Sequence, residues 1–206
     1  MTMLPKYGTT GMKPTNRIGI FGGTFDPVHI GHRQTALFFR DKFALDLLYI
    51  IPNFIPPLKN RGGVSGEDRL NMLKIAFSGC ENIKISDTEL KRKGTSYTCD
   101  TVAEIKEKHK GSELFLLTGD DWIGQFEKWK NYRYILENVT LVVADRSGRD
   151  ISDDIEHLYE ISGRKPLLLG NGVIELSSTE LRNNIKKELL PENVYQYIVE
   201  RGLYGL

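Results

Sequence analysis

Short apolar runs and helically spaced apolar positions alternate along most of this chain. The runs Arg17–Phe21, Leu47–Pro52, Ile83–Ser86, Glu113–Thr118, Val139–Ala144 and Val173–Leu176 are rich in leucine, β-branched or aromatic side chains and read as strands. Elsewhere the spacing changes. Ala36, Leu37, Phe39 and Phe43 recur at roughly helical intervals, as do Leu70, Leu73, Ile75, Ala76 and Phe77, then Val102 and Ile105, and finally Val194, Tyr197, Ile198 and Arg201. Glu113–Thr118 is apolar on successive rather than alternate positions, which suits a parallel strand covered by helices on both faces. The alternation predicts an α/β fold, a doubly wound parallel sheet with its ligand crevice outside the carboxyl ends of the strands.

Polar residues mark where the elements should begin and end. Ser65 followed by Asp68 predicts an acidic variant of a capping box at the second helix. Ser96 is expected to cap a helix through Val102 and Ile105 to Lys108, and Ser178 one through Ile185. Val194–Arg201 forms a closing helix between Pro191 and Gly202, and its spacing points to packing rather than chemistry. Asn53–Gly66 is a proline- and glycine-rich loop. Residues 1–16 carry no apolar periodicity and are expected to be a flexible leader, with residues 17–206 forming one domain.

Composition narrows the function classes. Lysine and arginine (28) almost balance aspartate and glutamate (27) for a net charge of +1, so no general field favours nucleic acid, and no aromatic-basic platform stands out. Any basic site must be local. Cys80 and Cys99 have neither metal nor redox spacing, which fits a reducing compartment. No apolar run approaches the roughly 20 residues of a membrane span, and the first residues lack the apolar core of a signal peptide. The expectation is a cytoplasmic protein that binds no membrane and no nucleic acid; a homo-oligomer is left open.

The candidate chemistry centres on Gly22–His32 (GGTFDPVHIGH), where a strand feeds a helix. Gly22 and Gly23 allow close approach of backbone to a ligand, and the N–H groups of the turn and the helix dipole favour anions. His29 and His32 stand three residues apart, so both rings can face one ligand and donate to phosphate oxygens. Asp26, His29 and His32 could also be read as zinc ligands, but no third His or Cys stands nearby to complete the set, and no metal site is predicted. A second element, Glu175–Arg182 (ELSSTELR), repeats the strand, hydroxyl-rich turn and helix start, with Arg182 offering a fork to phosphate. Read alone, its Ser177 and Glu180 make an ordinary capping box.

The first element resembles the signature of the HxGH nucleotidyltransferase superfamily, whose members transfer a nucleotidyl group from a nucleoside triphosphate. The second resembles the I-S-S-T-x-x-R element with which these proteins hold the ATP triphosphate, with Leu176 replacing isoleucine. Ile51–Lys59 (IPNFIPPLK) is similar to the proline-rich loop of the nicotinate mononucleotide adenylyltransferase family, with Leu58 where that family has histidine. Arg69, Ser96–Thr98, Gly119 with Asp121, Trp129 and Arg146 also fall at that family's landmarks.

The resemblance implies a Rossmann-like nucleotidyltransferase fold and adenylyl transfer from ATP to nicotinate mononucleotide, with magnesium carried mainly by the ATP phosphates. It places Gly22, Gly23, Thr24, Phe25, His29, His32, Ser178, Thr179 and Arg182 at ATP, with His29, His32 and Arg182 catalytic. It places Lys59, Thr98, Gly119, Asp121, Trp129 and Arg146 at the mononucleotide. An indole face can stack on an electron-poor pyridinium. Trp122 competes for that place, and the ten-residue spacing from Gly119 favours Trp129. Two other readings compete with this one: an enzyme of the same fold acting on nicotinamide mononucleotide or phosphopantetheine, and a nucleotide sensor without turnover.

Overall fold

Strands that are apolar on both faces must be covered on both sides, and the chain meets this demand with one parallel sheet. The computed structural model describes residues 16–57, 63–145, 148–170 and 178–206, with the backbone alone for residues 179, 180 and 183. The strands are β1 (Arg17–Gly23), β2 (Leu47–Pro52), β3 (Ile83–Ile85), β4 (Glu113–Gly119), β5 (Thr140–Ala144) and β6 (Leu167–Leu168). The helices are α1 (Ile30–Lys42), α2 (Gly66–Ala76), α3 (Thr88–Arg92), α4 (Thr98–Lys108), α5 (Tyr132–Asn138), α6 (Ser152–Ser162), α7 (Ser178–Asn183) and α8 (Glu192–Glu200).

The sheet order is β3-β2-β1-β4-β5-β6 and all pairings are parallel. Progress across the sheet reverses between β1 and β4, which pair Phe21 with Leu117 near their carboxyl ends. That reversal opens a crevice at the ends of the two strands, the place where a doubly wound sheet takes its ligand.

Alternate residues of β1, β2, β4 and β5 enter separate cores. Phe21, Leu48, Ile50, Phe115, Leu117 and Val142 meet Phe39 of α1, Leu73 of α2 and Ile198 of α8. Ile18, Ile20, Ile51, Leu114, Leu116 and Val143 meet Val102 of α4, Ile135 of α5 and Leu158 of α6. Each such side chain contributes about 1.5–3 kcal/mol on burial. Gly19 is demanded by this packing, since a Cβ there would lie 2.4 Å from Leu45 Cδ1 and 2.8 Å from Leu48 Cδ1.

Several sequence expectations are corrected. Ser96 does not cap α4; that helix starts two residues later, and the Ser96 hydroxyl instead accepts the Phe54 backbone N–H at 2.8 Å. Ser178 is the first residue of α7, which ends at Asn183 rather than Ile185, and its hydroxyl donates outward to the Pro27 carbonyl at 3.2 Å. Ser65 does cap α2 by accepting the Asp68 N–H at 3.0 Å. β6 is an unanticipated edge strand whose two leucines are exposed. The expected leader and the strand at 173–176 lie outside the described residues. Among the described residues no helix is long and apolar enough to cross a membrane.

Candidate active site

The loop from β1 into α1 is closed by its own two imidazoles. His29 is the N-cap of α1, and its Nδ1 accepts the His32 N–H at 3.3 Å. In return His32 Nδ1 accepts the His29 N–H at 3.4 Å. The rings stack with centroids 3.7 Å apart and 27° between planes. A nitrogen that accepts cannot carry the ring proton, so this arrangement selects the neutral tautomer protonated on Nε2 in both residues. Each imidazole thus caps the helix with one nitrogen and carries its N–H on the other. His29 is buried and His32 half-buried.

Phe25 supports this pair from below. Its ring is buried, edge-on to Phe21 at 5.3 Å and to His32 at 5.0 Å. Its side chain is therefore closed to a ligand, which leaves only its backbone for the expected ATP contact. Gly22 is exposed and Gly23 half-buried at the strand end. The Thr24 hydroxyl accepts from Asn53 Nδ2 at 3.2 Å.

The start of α7 docks on the β1–α1 loop across more than 150 residues of sequence. Besides the Ser178 contact, Arg182 Nη1 donates to the Asp26 carbonyl at 3.0 Å. His29, His32, Ser178 and Arg182 are thus gathered around one turn. Thr179 is in the first turn of α7, and its side chain lies outside the description.

After β2 the proline-rich loop is fastened by two arrangements. Buried Arg69 donates to the Thr24 carbonyl at 2.8 Å and to the Asn53 carbonyl at 2.8 Å, clamping this loop to the phosphate turn. Farther on, Ile55 bridges to Thr95 and accepts the Ser96 N–H at 2.9 Å. Lys59 and Arg146 lie outside the described residues, as does Leu58. Behind Ser96, buried Glu89 accepts the Thr101 hydroxyl at 2.6 Å. Burial pushes the Glu89 carboxyl above its ordinary value, against the opposing bonds from Thr101 and Ser96 and the nearby Arg92.

Thr98 opens α4 and is half-buried, while Gly119 ends β4. Asp121 is exposed in the 3-10 stretch Asp120–Lys128 that follows. Trp129 closes that stretch, lying flat on Phe126 at 4.8 Å and edge-on to Trp122 at 6.4 Å. One face of its indole is therefore covered by Phe126. The Trp129 Nε1 is buried without a hydrogen-bond partner among the described residues.

The cytidylyltransferase-like family model matches residues 20–184, a span holding both phosphate elements. The probable nicotinate-nucleotide adenylyltransferase of Dictyoglomus thermophilum is 34% identical over 193 residues, covering 91% of this chain and 99% of its own length. That of Desulfitobacterium hafniense is 37% identical over 205 residues, covering 94% and 98%. The chain belongs to the nicotinate-nucleotide adenylyltransferase family. Its fold is shared by the Plasmodium falciparum nicotinic acid mononucleotide adenylyltransferase complexed with NaAD, at a TM-score of 0.72 and 19% identity over 92% of this chain and 97% of that one.

Within this adenylyltransferase, three features of the site were not expected from the sequence. The first is the reciprocal imidazole cap, whose signal was the three-residue spacing of a capping box at a helix start. The second is the Arg69 clamp, for which no local signal exists. The third is a contact from beyond α8 to the phosphate turn: the Tyr204 hydroxyl donates to Asp26 Oδ1 at 2.5 Å.

Proposed function

We propose that this enzyme transfers the adenylyl group of ATP to nicotinate mononucleotide, forming nicotinate adenine dinucleotide and pyrophosphate in NAD biosynthesis. The observation that carries the reading is the convergence of the imidazole cap, Ser178 and Arg182 on one turn at the sheet's switch point. Relatives named for this activity, aligned over most of the chain, support it.

The reaction needs no enzymic nucleophile. A phosphate oxygen of the mononucleotide attacks the α-phosphorus of ATP in line; the new O–P bond forms as the bond to the α,β-bridging oxygen breaks, and pyrophosphate leaves with the bonding pair. The attacking oxygen is already anionic, so no general base is required. The protein's task is to align the two substrates and to stabilise charge on the α- and β-phosphates.

His29 and His32 serve that charge through their Nε2–H groups, alongside the backbone N–H groups of Gly22, Gly23, Thr24 and Phe25. Ser178, Thr179 and Arg182 hold the outer phosphates. Lys59, Gly119, Asp121 and Arg146 border the mononucleotide, and Thr98 and the uncovered face of Trp129 take its nicotinate ring. Among the described residues no group of three His, Cys, Asp or Glu could hold a metal ion. Magnesium would enter as part of the substrate, carried mainly by ATP oxygens and water, and would neutralise charge on the phosphates. We assign residues 17–206 to one domain and the protein to the cytoplasm.

Incubation of the protein with MgATP and nicotinate mononucleotide tests the reading. Dinucleotide and pyrophosphate are expected in equal amounts; their absence, with the protein folded, would overturn it.

A further inference from the structure

The residues after α8 do more than close the fold. Gly202 and Tyr204 both take positive φ, at 60° and 57°. The left-handed conformation is costly for a tyrosine. This turn brings the Tyr204 side chain back to Asp26, a residue with no exposed surface that lies three positions before His29.

Asp26 is a junction of separate segments. Its carbonyl takes the Arg182 guanidinium, and its carboxylate takes the Tyr204 hydroxyl and, more distantly, the Val64 N–H at 3.4 Å. The opposite carboxylate oxygen is so close to Gly63 that a Cβ there would fall 1.7 Å away, and Gly63 has a φ of +92° that suits glycine alone. Burial and the Asp26 carboxylate push the Tyr204 hydroxyl far above its ordinary value, so it remains a protonated donor at any working pH.

A carboxylate in the turn that gathers the phosphate-binding groups would oppose a triphosphate if it swung outward. We propose that Tyr204 is a positioning residue for ATP: its hydroxyl holds the Asp26 carboxylate in the seam with Gly63 and Val64, and so fixes the turn that carries the imidazole pair and on which Arg182 of α7 docks to meet the phosphates. The proposal rests on the assignment of that turn to ATP.

The molecule supplies its own control. The Tyr197 hydroxyl donates to Asp68 Oδ1 at 2.8 Å, a tyrosine–carboxylate bond of the same kind between α8 and α2. Tyr197→Phe removes that bond from a packing seam, whereas Tyr204→Phe removes one from the phosphate turn. Both variants are compared with the parent by thermal midpoint, steady-state kinetics and titration with α,β-methylene ATP.

Both should lose a few degrees of thermal midpoint. Only Tyr204→Phe should lose kcat/KM for ATP, on the order of tenfold, with weaker analogue binding and an unchanged KM for the mononucleotide. Tyr204→Phe kinetics within twofold of the parent, the same kinetic loss in Tyr197→Phe, or a loss confined to the mononucleotide KM would each overturn the proposal. Should the parent form no dinucleotide, the proposed reaction fails separately and the analogue titration still decides: weaker binding by Tyr204→Phe alone supports the role, and equal binding refutes it.

Discussion

His29 and His32 hold each other's backbone N–H, so the two imidazoles of the H-x-G-H element are at once the cap of α1 and a pair of oriented donors. Acceptance at both Nδ1 atoms is what fixes the proton on both Nε2 atoms. The cap therefore orients both Nε2–H groups, because protonation at Nδ1 of either ring would break it.

The cap can be separated from the donor. Glutamine at the third helical position is the usual partner in a capping box, so His32→Gln should keep the thermal midpoint within about a degree of the parent. His32→Ala loses the reciprocal bond and should cost about 1 kcal/mol. Thermal unfolding of the two variants checks this; equal losses would show that His32 does not cap.

Trp129 lies against Phe126 with one indole face covered, and the proposed function sets the nicotinate ring on the other. Stacking holds ground and transition states alike, so Trp129→Ala should raise KM for the mononucleotide with little change in kcat. A kcat loss at constant KM would place Trp129 outside that pocket.

The acid mononucleotide should be used at least about tenfold more efficiently than the amide. A pocket whose N–H donors grip a carboxylate leaves those donors facing an amide N–H₂, a difference of roughly 1.4 kcal/mol or more. Paired kcat/KM measurements on the two substrates decide it, and equal values would remove the acid preference.

Burial alone would push the Asp68 carboxyl up, but the Ser65 and Tyr197 hydroxyls and the Arg201 guanidinium outweigh it and hold the pKa below its ordinary value. A depressed carboxylate stabilises the fold above its unfolded pKa, about 3.9, and loses that contribution as pH falls through the folded value. Asp68→Asn should therefore lower the thermal midpoint at pH 7, with the gap narrowing below about pH 4. A gap that widens on acidification would contradict this sign.

What the sequence reveals depends on whether a feature is local. The strand, glycine turn and two histidines of 17–32 are contiguous, so their periodicity and spacing foretell a strand, a loop and a helix start. The sheet follows from the same kind of signal, except at β6, where two exposed leucines make no pattern. Ser96 looks like a cap because a serine before a helix is the commonest cap signal, yet its hydroxyl is claimed by Phe54, 42 residues away. Tyr204 meets Asp26 across 178 residues, and nothing in either neighbourhood announces it.

The most direct test is steady-state turnover of His32→Gln and His32→Ala with MgATP and nicotinate mononucleotide. If the His32 imidazole serves charge that builds on the phosphates during substitution, both variants should lose about a hundredfold or more in kcat while ATP affinity falls far less. Near-normal turnover by folded His32→Gln would contradict the account, since that variant keeps the cap bond while losing the imidazole N–H donor together with the ring contacts to His29 and Phe25.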